Sequence, residues 1–268
     1  MKNLIIRALS GAIYVVVILA NIIGGDLTFT SIVGILALLG SVEMSRLSRN
    51  SNPNVMTVDI IFATALAITP YLTTYGIPLT QVIALLALFV IIRIIVAVFD
   101  KGEDPSASIA KSFLTVMYIG IPLACLDLIY MLGDWGKWAV LAIFVAIWIN
   151  DTGAYCVGCT LGKHRLCERL SPKKSWEGFW GGFAFAIGWG IACYYLFPQV
   201  GLNIYQWILF GAISSIFATW GDLFESMLKR NAGVKDSGNI IPGHGGILDR
   251  IDSLLLVSPV IMLFLLMV

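Results

Sequence analysis

The sequence predicts an all-α, polytopic integral membrane protein of about nine transmembrane helices with a cytoplasmic N-terminus. Three observations carry this reading. Of the 268 residues, 59% are hydrophobic and 12% are charged, about half the charge of a typical soluble domain. Apolar runs near the length that crosses a hydrocarbon core of about 30 Å recur along the whole chain. The lysines and arginines gather at the N-terminus and in every second connection. The formal net charge is only +1, so nothing points to nucleic acid as a partner.

Counted by length, the spans fall at roughly 8–24, 28–45, 58–74, 79–98, 113–132, 137–157, 179–197, 203–225 and 251–268. Lys2 and Arg7 precede the first run, but no small-residue cleavage site follows it, so it reads as a retained span that Gly24-Gly25-Asp26 ends. The second run closes on Arg46 and Arg49. The third and fourth are separated by a short uncharged turn around Thr73 to Gly76, and the fourth carries Arg93 near the end that leads to Lys101. From there Arg93 is expected to snorkel toward water. Asp100-Lys101-Gly102-Glu103-Asp104-Pro105 reads as a hydrophilic connector. Asp127 stands inside the fifth span with no basic residue near it in sequence. Trp135, Trp138 and Tyr205 sit where interfacial aromatic belts are expected.

Orientation follows from the basic residues. Lys2 and Arg7, Arg46 and Arg49, Lys101 and Lys111, the group from Lys163 to Lys174, and the group from Lys229 to Arg250 all fall on one side, against Lys137 alone on the other. That side is assigned to the cytoplasm, and the C-terminus to the outside. The five cysteines, Cys125, Cys156, Cys159, Cys167 and Cys193, are odd in number and scattered, which suggests packed thiols rather than a disulfide framework.

One stretch breaks the apolar pattern. From Asp222 to Asp252 the chain carries Glu225, Ser226, Lys229, Arg230, Lys235 and Asp236, then Pro242-Gly243-His244-Gly245-Gly246, then Asp249-Arg250-Ile251-Asp252. Ionisable groups beside long hydrophobic runs are costly unless they perform chemistry or face water. Ser215, Thr219, Asp222 and Ser226 fall on one helical stripe, and Asp249 and Asp252 share a helix face. The pattern is two helix ends bearing carboxylates, joined by a basic, glycine-rich loop. Carboxylates suit Mg²⁺, which binds through a few protein oxygens together with substrate phosphates. Asp222 and Asp249 flank the loop from opposite sides and are the choices for metal ligands, with Asp151 a third acidic group. Lys173, Lys174, Lys229, Arg230, Lys235 and Arg250 are candidates for phosphate contacts, Arg250 foremost, and His244 is a further donor. Gly245-Gly246 offers backbone N–H groups that an anion can approach.

The run Ser226-x-x-Lys229-Arg230, Lys235-Asp236, Pro242-x-His244-Gly245-Gly246-x-x-Asp249-Arg250-x-Asp252 resembles the signature of the phosphatidate cytidylyltransferases, the CDP-diacylglycerol synthases. A second block, Asp151-Thr152-Gly153-Ala154-Tyr155 followed by Ser171-Pro172-Lys173-Lys174-Ser175-Trp176-Glu177-Gly178, is similar to that family's other motif region. The resemblance implies transfer of a cytidylyl group from CTP to phosphatidate, giving CDP-diacylglycerol and pyrophosphate, in a multi-pass cell inner-membrane enzyme with its site at the cytoplasmic face. It also implies metal binding by Asp222 and Asp249, Mg²⁺ with room for a second cation such as K⁺, and a homodimer. A single membrane domain is expected, with 1–135 as scaffold and seat of the dimer contacts and 136–268 as the catalytic half. Two rival readings are a CTP-dependent lipid kinase and a transporter with an intramembrane carboxylate path. The transporter predicts charged or broken helices in symmetric halves, whereas the carboxylates here cluster in the C-terminal half.

Overall fold

The computed structural model describes residues 2–48, 52–100, 104–241, 243 and 245–268, with side chains from Leu9 onward. Helices α1 (Lys2–Ile23) and α2 (Asp26–Leu47) open the chain and turn at Gly25, whose φ is 100°. α3 (Pro53–Ala67), the short α4 (Thr69–Thr74) and α5 (Leu79–Phe99) follow. α6 (Pro105–Thr115), a π-helical turn (Val116–Gly120) and α7 (Ile121–Tyr130) make one 26-residue helical unit. Pro122, just beyond the wide turn, cannot donate to a carbonyl four residues back, and the π geometry absorbs that missing bond.

The C-terminal half consists of α8 (Gly136–Leu161), an antiparallel hairpin of β1 (Arg165–Cys167) and β2 (Ser171–Ser175), α9 (Trp176–Leu196), α10 (Ile204–Asn231) and α11 (Leu248–Met267). Among the described residues, seven helical units are long and apolar enough to cross a membrane: α2, α5, α6–α7, α8, α9, α10 and α11. Leu9–Ile23 of α1 and α3 are apolar but shorter. The chain is a helical multi-pass membrane protein, with one small hairpin that the sequence reading did not foresee.

Two local expectations change, and Asp127 acquires a role. The span expected at roughly 58–74 is broken at Ile68, between α3 and α4. Pro70 lacks the N–H that would continue the helix, and the Thr69 hydroxyl donates to Leu66 O instead, at 2.7 Å. Asp127, unexplained by sequence, serves this break. It is fully buried and accepts from the Tyr71 N–H at the start of α4 (3.1 Å) and from Thr30 Oγ1 of α2 (2.7 Å). Arg93 does not snorkel: it is 0% exposed, donating from Nε to Ser112 Oγ (2.6 Å) and from Nη2 to Ser108 Oγ (2.5 Å). The buried Asp59 of α3 faces the same Arg93 and Ser112. A guanidinium so far from water needs this set of oxygens around it.

Helices α8 to α11 pack as one group, and a close approach of α10 to α11 positions the site. At Gly221 of α10, a Cβ would lie 2.6 Å from Asp252 O and 2.9 Å from Ser253 Cα of α11. The two backbones touch there because no side chain intervenes, and this carries Asp222 up to Asp252. α10 begins at a capping box, with Asn203 Oδ1 accepting from the N–H groups of Tyr205 and Gln206 and Gln206 Oε1 accepting from Asn203 N. The main apolar core runs through α2, α7, α8, α10 and α11, with Trp207, Phe210, Ile143 and Ile251 fully buried.

Replacing Asp127 by Ala leaves the Tyr71 N–H and the Thr30 hydroxyl buried without an acceptor, a loss of about 1–3 kcal/mol. The apparent unfolding midpoint in detergent should fall by several degrees, and an unchanged midpoint would contradict the helix-break account.

Candidate active site

Both motif regions of the sequence converge at one end of the bundle. Along α10 the predicted polar stripe is realised and faces α8: Ser215 Oγ donates to Asn150 Oδ1 at 2.6 Å, Thr219 follows, and Asp222 and Ser226 lie beyond. Asn150 Nδ2 reaches Asp151 Oδ1 at 3.3 Å. The hairpin after α8 is fixed by Glu177 at the start of α9, whose carboxylate accepts from Lys163 N (3.0 Å) and His164 N (3.2 Å) and meets His164 Nδ1 at 2.6 Å. Ser175 caps α9 through Gly178 N at 3.1 Å. These contacts carry Lys173 and Lys174 over the end of α10, where Lys174 Nζ pairs with Asp222 Oδ2 at 2.5 Å.

A cavity of about 340 Å³ opens between α8, α10, α11 and the loop before α11. Among the described residues, five carboxylates (Asp151, Asp222, Asp236, Asp249 and Asp252) and four cations (Lys229, Arg230, Lys235 and Arg250) line it, with Ser226. Acid and base in near balance suit a polyanion that brings its own cation. Asp151 and Asp222 also line a neighbouring cavity of about 260 Å³ with Lys173 and Lys174, walled by Tyr155, Leu166 and Phe179. Asp151, Asp249, Arg250 and Asp252 line a third, of about 310 Å³, whose other side is Tyr14, Val15, Ile147 and Trp148. Asp151 stands at the junction of all three, so polar basin and apolar clefts are contiguous.

Lys229 is the hub. Its Nζ lies 2.5 Å from Glu225 Oε2 and 2.6 Å from Asp249 Oδ1, tying α10 to the first turn of α11. Asp249 is further bound by Ser237 N, Ser237 Oγ (both 2.9 Å) and Gly246 N (2.8 Å). The Gly246 N–H therefore points at Asp249, and Gly245 has φ 82° with Asp249 close by. Arg230 Nη1 donates to Val234 O at 3.0 Å, bracing the start of the loop. His244 lies outside the described residues.

Among the described residues, Asp222, Glu225 and Asp252 form an acidic group, each offering a carboxylate oxygen within 4.8 Å of the others. It joins Asp222 to two acids of the charged stretch 222–252 that the sequence reading does not name as ligands, while Asp249 stands beside it across Lys229. The signal was present in the spacing, since Glu225 follows Asp222 and Asp252 follows Asp249 by three residues. Glu225 is fully buried, and its Oε1 has no hydrogen-bond partner among the described residues. An orphaned carboxylate oxygen beside two more carboxylates is a donor set fitted to a hard divalent cation.

The sequence model of the cytidylyltransferase family matches residues 5–268. The phosphatidate cytidylyltransferase of Staphylococcus aureus is 36% identical over 264 residues, covering 97% of this chain and 98% of the relative. Those of Staphylococcus epidermidis and Staphylococcus haemolyticus are 34% and 33% identical over 262 and 260 residues, with the same coverage. With a match from end to end and both motif regions folded into one cavity, the chain belongs to the cytidylyltransferase family.

Proposed function

We propose that this protein transfers the cytidylyl group of CTP to phosphatidate, forming CDP-diacylglycerol for phospholipid synthesis and releasing pyrophosphate. The observation that carries this is the cavity where carboxylates and cations of both motif regions meet beside apolar clefts, in a chain of this family. In the reaction a phosphatidate oxygen bonds to the α-phosphorus of CTP, and the bond from that phosphorus to the α,β-bridging oxygen breaks, that oxygen leaving as a terminal oxygen of pyrophosphate. The nucleophile is already an anion, so no strong general base is needed. The work of the site is to hold two polyanions together and offset their repulsion.

Each part of the site has a role in this reading. Lys173, Lys174, Arg230, Lys235 and Arg250 bind phosphate oxygens of the two substrates. Asp222, Glu225 and Asp252 hold Mg²⁺, which when bound screens the triphosphate and favours departure of pyrophosphate. Asp249 and Lys229 keep α10 and α11 in register around that cluster, with Asp151 at the meeting point of the cavities. Ser226 orients Asp222, 3.3 Å away, and the Gly245-Gly246 turn holds Asp249 from the loop side. The clefts lined by Phe179 and Leu166 and by Val15 and Ile147 take apolar parts of the lipid, which comes sideways from the bilayer. The positive-inside pattern puts this end of the bundle in the cytoplasm, where CTP is available, with the N-terminus on the same side and the two shorter apolar helices completing nine spans. Residues 136–268 supply the reacting site and 1–135 the scaffold, in a homodimer of the cell membrane.

Purified protein in detergent, given CTP, phosphatidate and Mg²⁺, should release pyrophosphate and form CDP-diacylglycerol, and removing divalent cations should stop both. Release of CDP in place of pyrophosphate would identify a lipid kinase instead. Asp222→Asn should lower turnover by about 100-fold or more with little change in the unfolding midpoint, and a fully active variant would contradict its role.

A further inference from the structure

Glu43 lies in α2, outside both motif regions, and is 0% exposed. Its carboxylate collects donors from about 200 residues further along the chain. Oε1 accepts from Ile247 N (3.0 Å), and Oε2 accepts from Leu248 N (2.8 Å) and Ser237 Oγ (2.9 Å). Ile247 and Leu248 open α11, and the N-cap residue, Ile247, has no side-chain oxygen to cap that end. Glu43 provides the cap from another helix, and a carboxylate there also meets the positive end of the helix dipole. Gly238 and Gly246 close around it: a Cβ at Gly238 would stand 2.9 Å from Glu43 Cδ, and one at Gly246 would strike the carboxylate oxygens and Ser237 Oγ.

The same donors lead straight to the site. Ser237 Oγ lies 2.9 Å from both Glu43 Oε2 and Asp249 Oδ2, and Ser237 N donates to Asp249 Oδ2. Gly246 N, adjacent to Ile247, also donates to Asp249. Glu43 thus pins both ends of the segment 237–248. That segment follows Lys235 and Asp236 and runs into Asp249, Arg250 and Asp252, all of which line the 340 Å³ cavity. A bare carboxylate in this environment is costly unless its hydrogen bonds are complete. An apolar residue would fill the space, but it would leave the loop and the helix end unanchored.

We propose that Glu43 is a positioning residue of the active site, contributed by the scaffold half, which holds the loop and the first turn of α11 so that Asp249, Arg250 and Asp252 stay aligned with α10. This rests on the reading of the cavity as the cytidylyl-transfer site. The isosteric Glu43→Gln keeps the shape, yet turns an amide NH₂ toward N–H donors. Asp127→Asn is the comparison. Its partner Thr30 lies on the same helix, 13 residues and about 20 Å from Glu43, so it reports general destabilisation.

In ligand-free protein, hydrogen–deuterium exchange over 234–248 should rise about tenfold in Glu43→Gln and stay at the wild-type level in Asp127→Asn. In turnover assays, kcat/KM for CTP should fall by about 10- to 100-fold in Glu43→Gln, beyond any loss in Asp127→Asn at an equal drop in midpoint. Unchanged exchange overturns the anchoring whatever the activity. Faster exchange with wild-type kcat/KM, or a loss that only matches the Asp127→Asn control, overturns its consequence for the site. If the wild-type protein itself fails to turn over CTP and phosphatidate, the functional reading falls, and the exchange data alone decide whether Glu43 anchors the loop.

Discussion

The ion triad of Lys229 with Glu225 and Asp249 is the interaction on which the C-terminal half depends. One ammonium, 2.5 Å and 2.6 Å from two carboxylates on different helices, is what allows α10 and α11 to approach with their acidic faces together. Removing one partner of such a buried set leaves charge uncompensated, which costs far more than the intact set contributes. The contact is possible because Gly221 lets the backbones touch one turn earlier. Packing and electrostatics therefore impose the same register on the two helices.

Around that register the chain places groups in pairs of opposite need. Lys174 comes from the hairpin to Asp222, Lys229 crosses to Asp249, and the loop N–H groups of Ser237 and Gly246 turn inward to Asp249. Glu225 pairs through one carboxylate oxygen only, and the other is left over at the point where Asp222 and Asp252 also converge. A buried carboxylate oxygen without a donor among the described residues, beside two further carboxylates, is the donor set that the proposed cation site requires. Apolar clefts adjoin the same basin and share Asp151 with it.

Much of this was legible in the sequence because membrane chains rarely tolerate charge without a use. The run from Asp222 to Asp252 and the lysines at 173 and 174 were visible against an apolar background, and helical spacing put Asp249 and Asp252 on one face. What spacing cannot show is a partner far along the chain. Glu43 looks like an ordinary charge at the end of an apolar run, since its donors are 194 to 205 positions away. Asp127 is similar, with partners 97 and 56 positions away. Arg93 reads as a snorkelling side chain until α6 brings Ser108 and Ser112 around it. The sequence names Asp222 and Asp249 as metal ligands; that Asp249 also accepts from Lys229, Ser237 and Gly246, while Glu225 and Asp252 stand beside Asp222, depends on the fold of the loop.

The central claim is that carboxylates of α10 and α11 hold a divalent cation where the nucleotide binds. Anomalous diffraction from crystals grown with Mn²⁺ and CTP tests it most directly. The account predicts a manganese peak bonded to the carboxylates of Asp222, Glu225 and Asp252 with nucleotide phosphate beside it. A nucleotide bound elsewhere, or bound here with manganese remote from these three side chains, would contradict it.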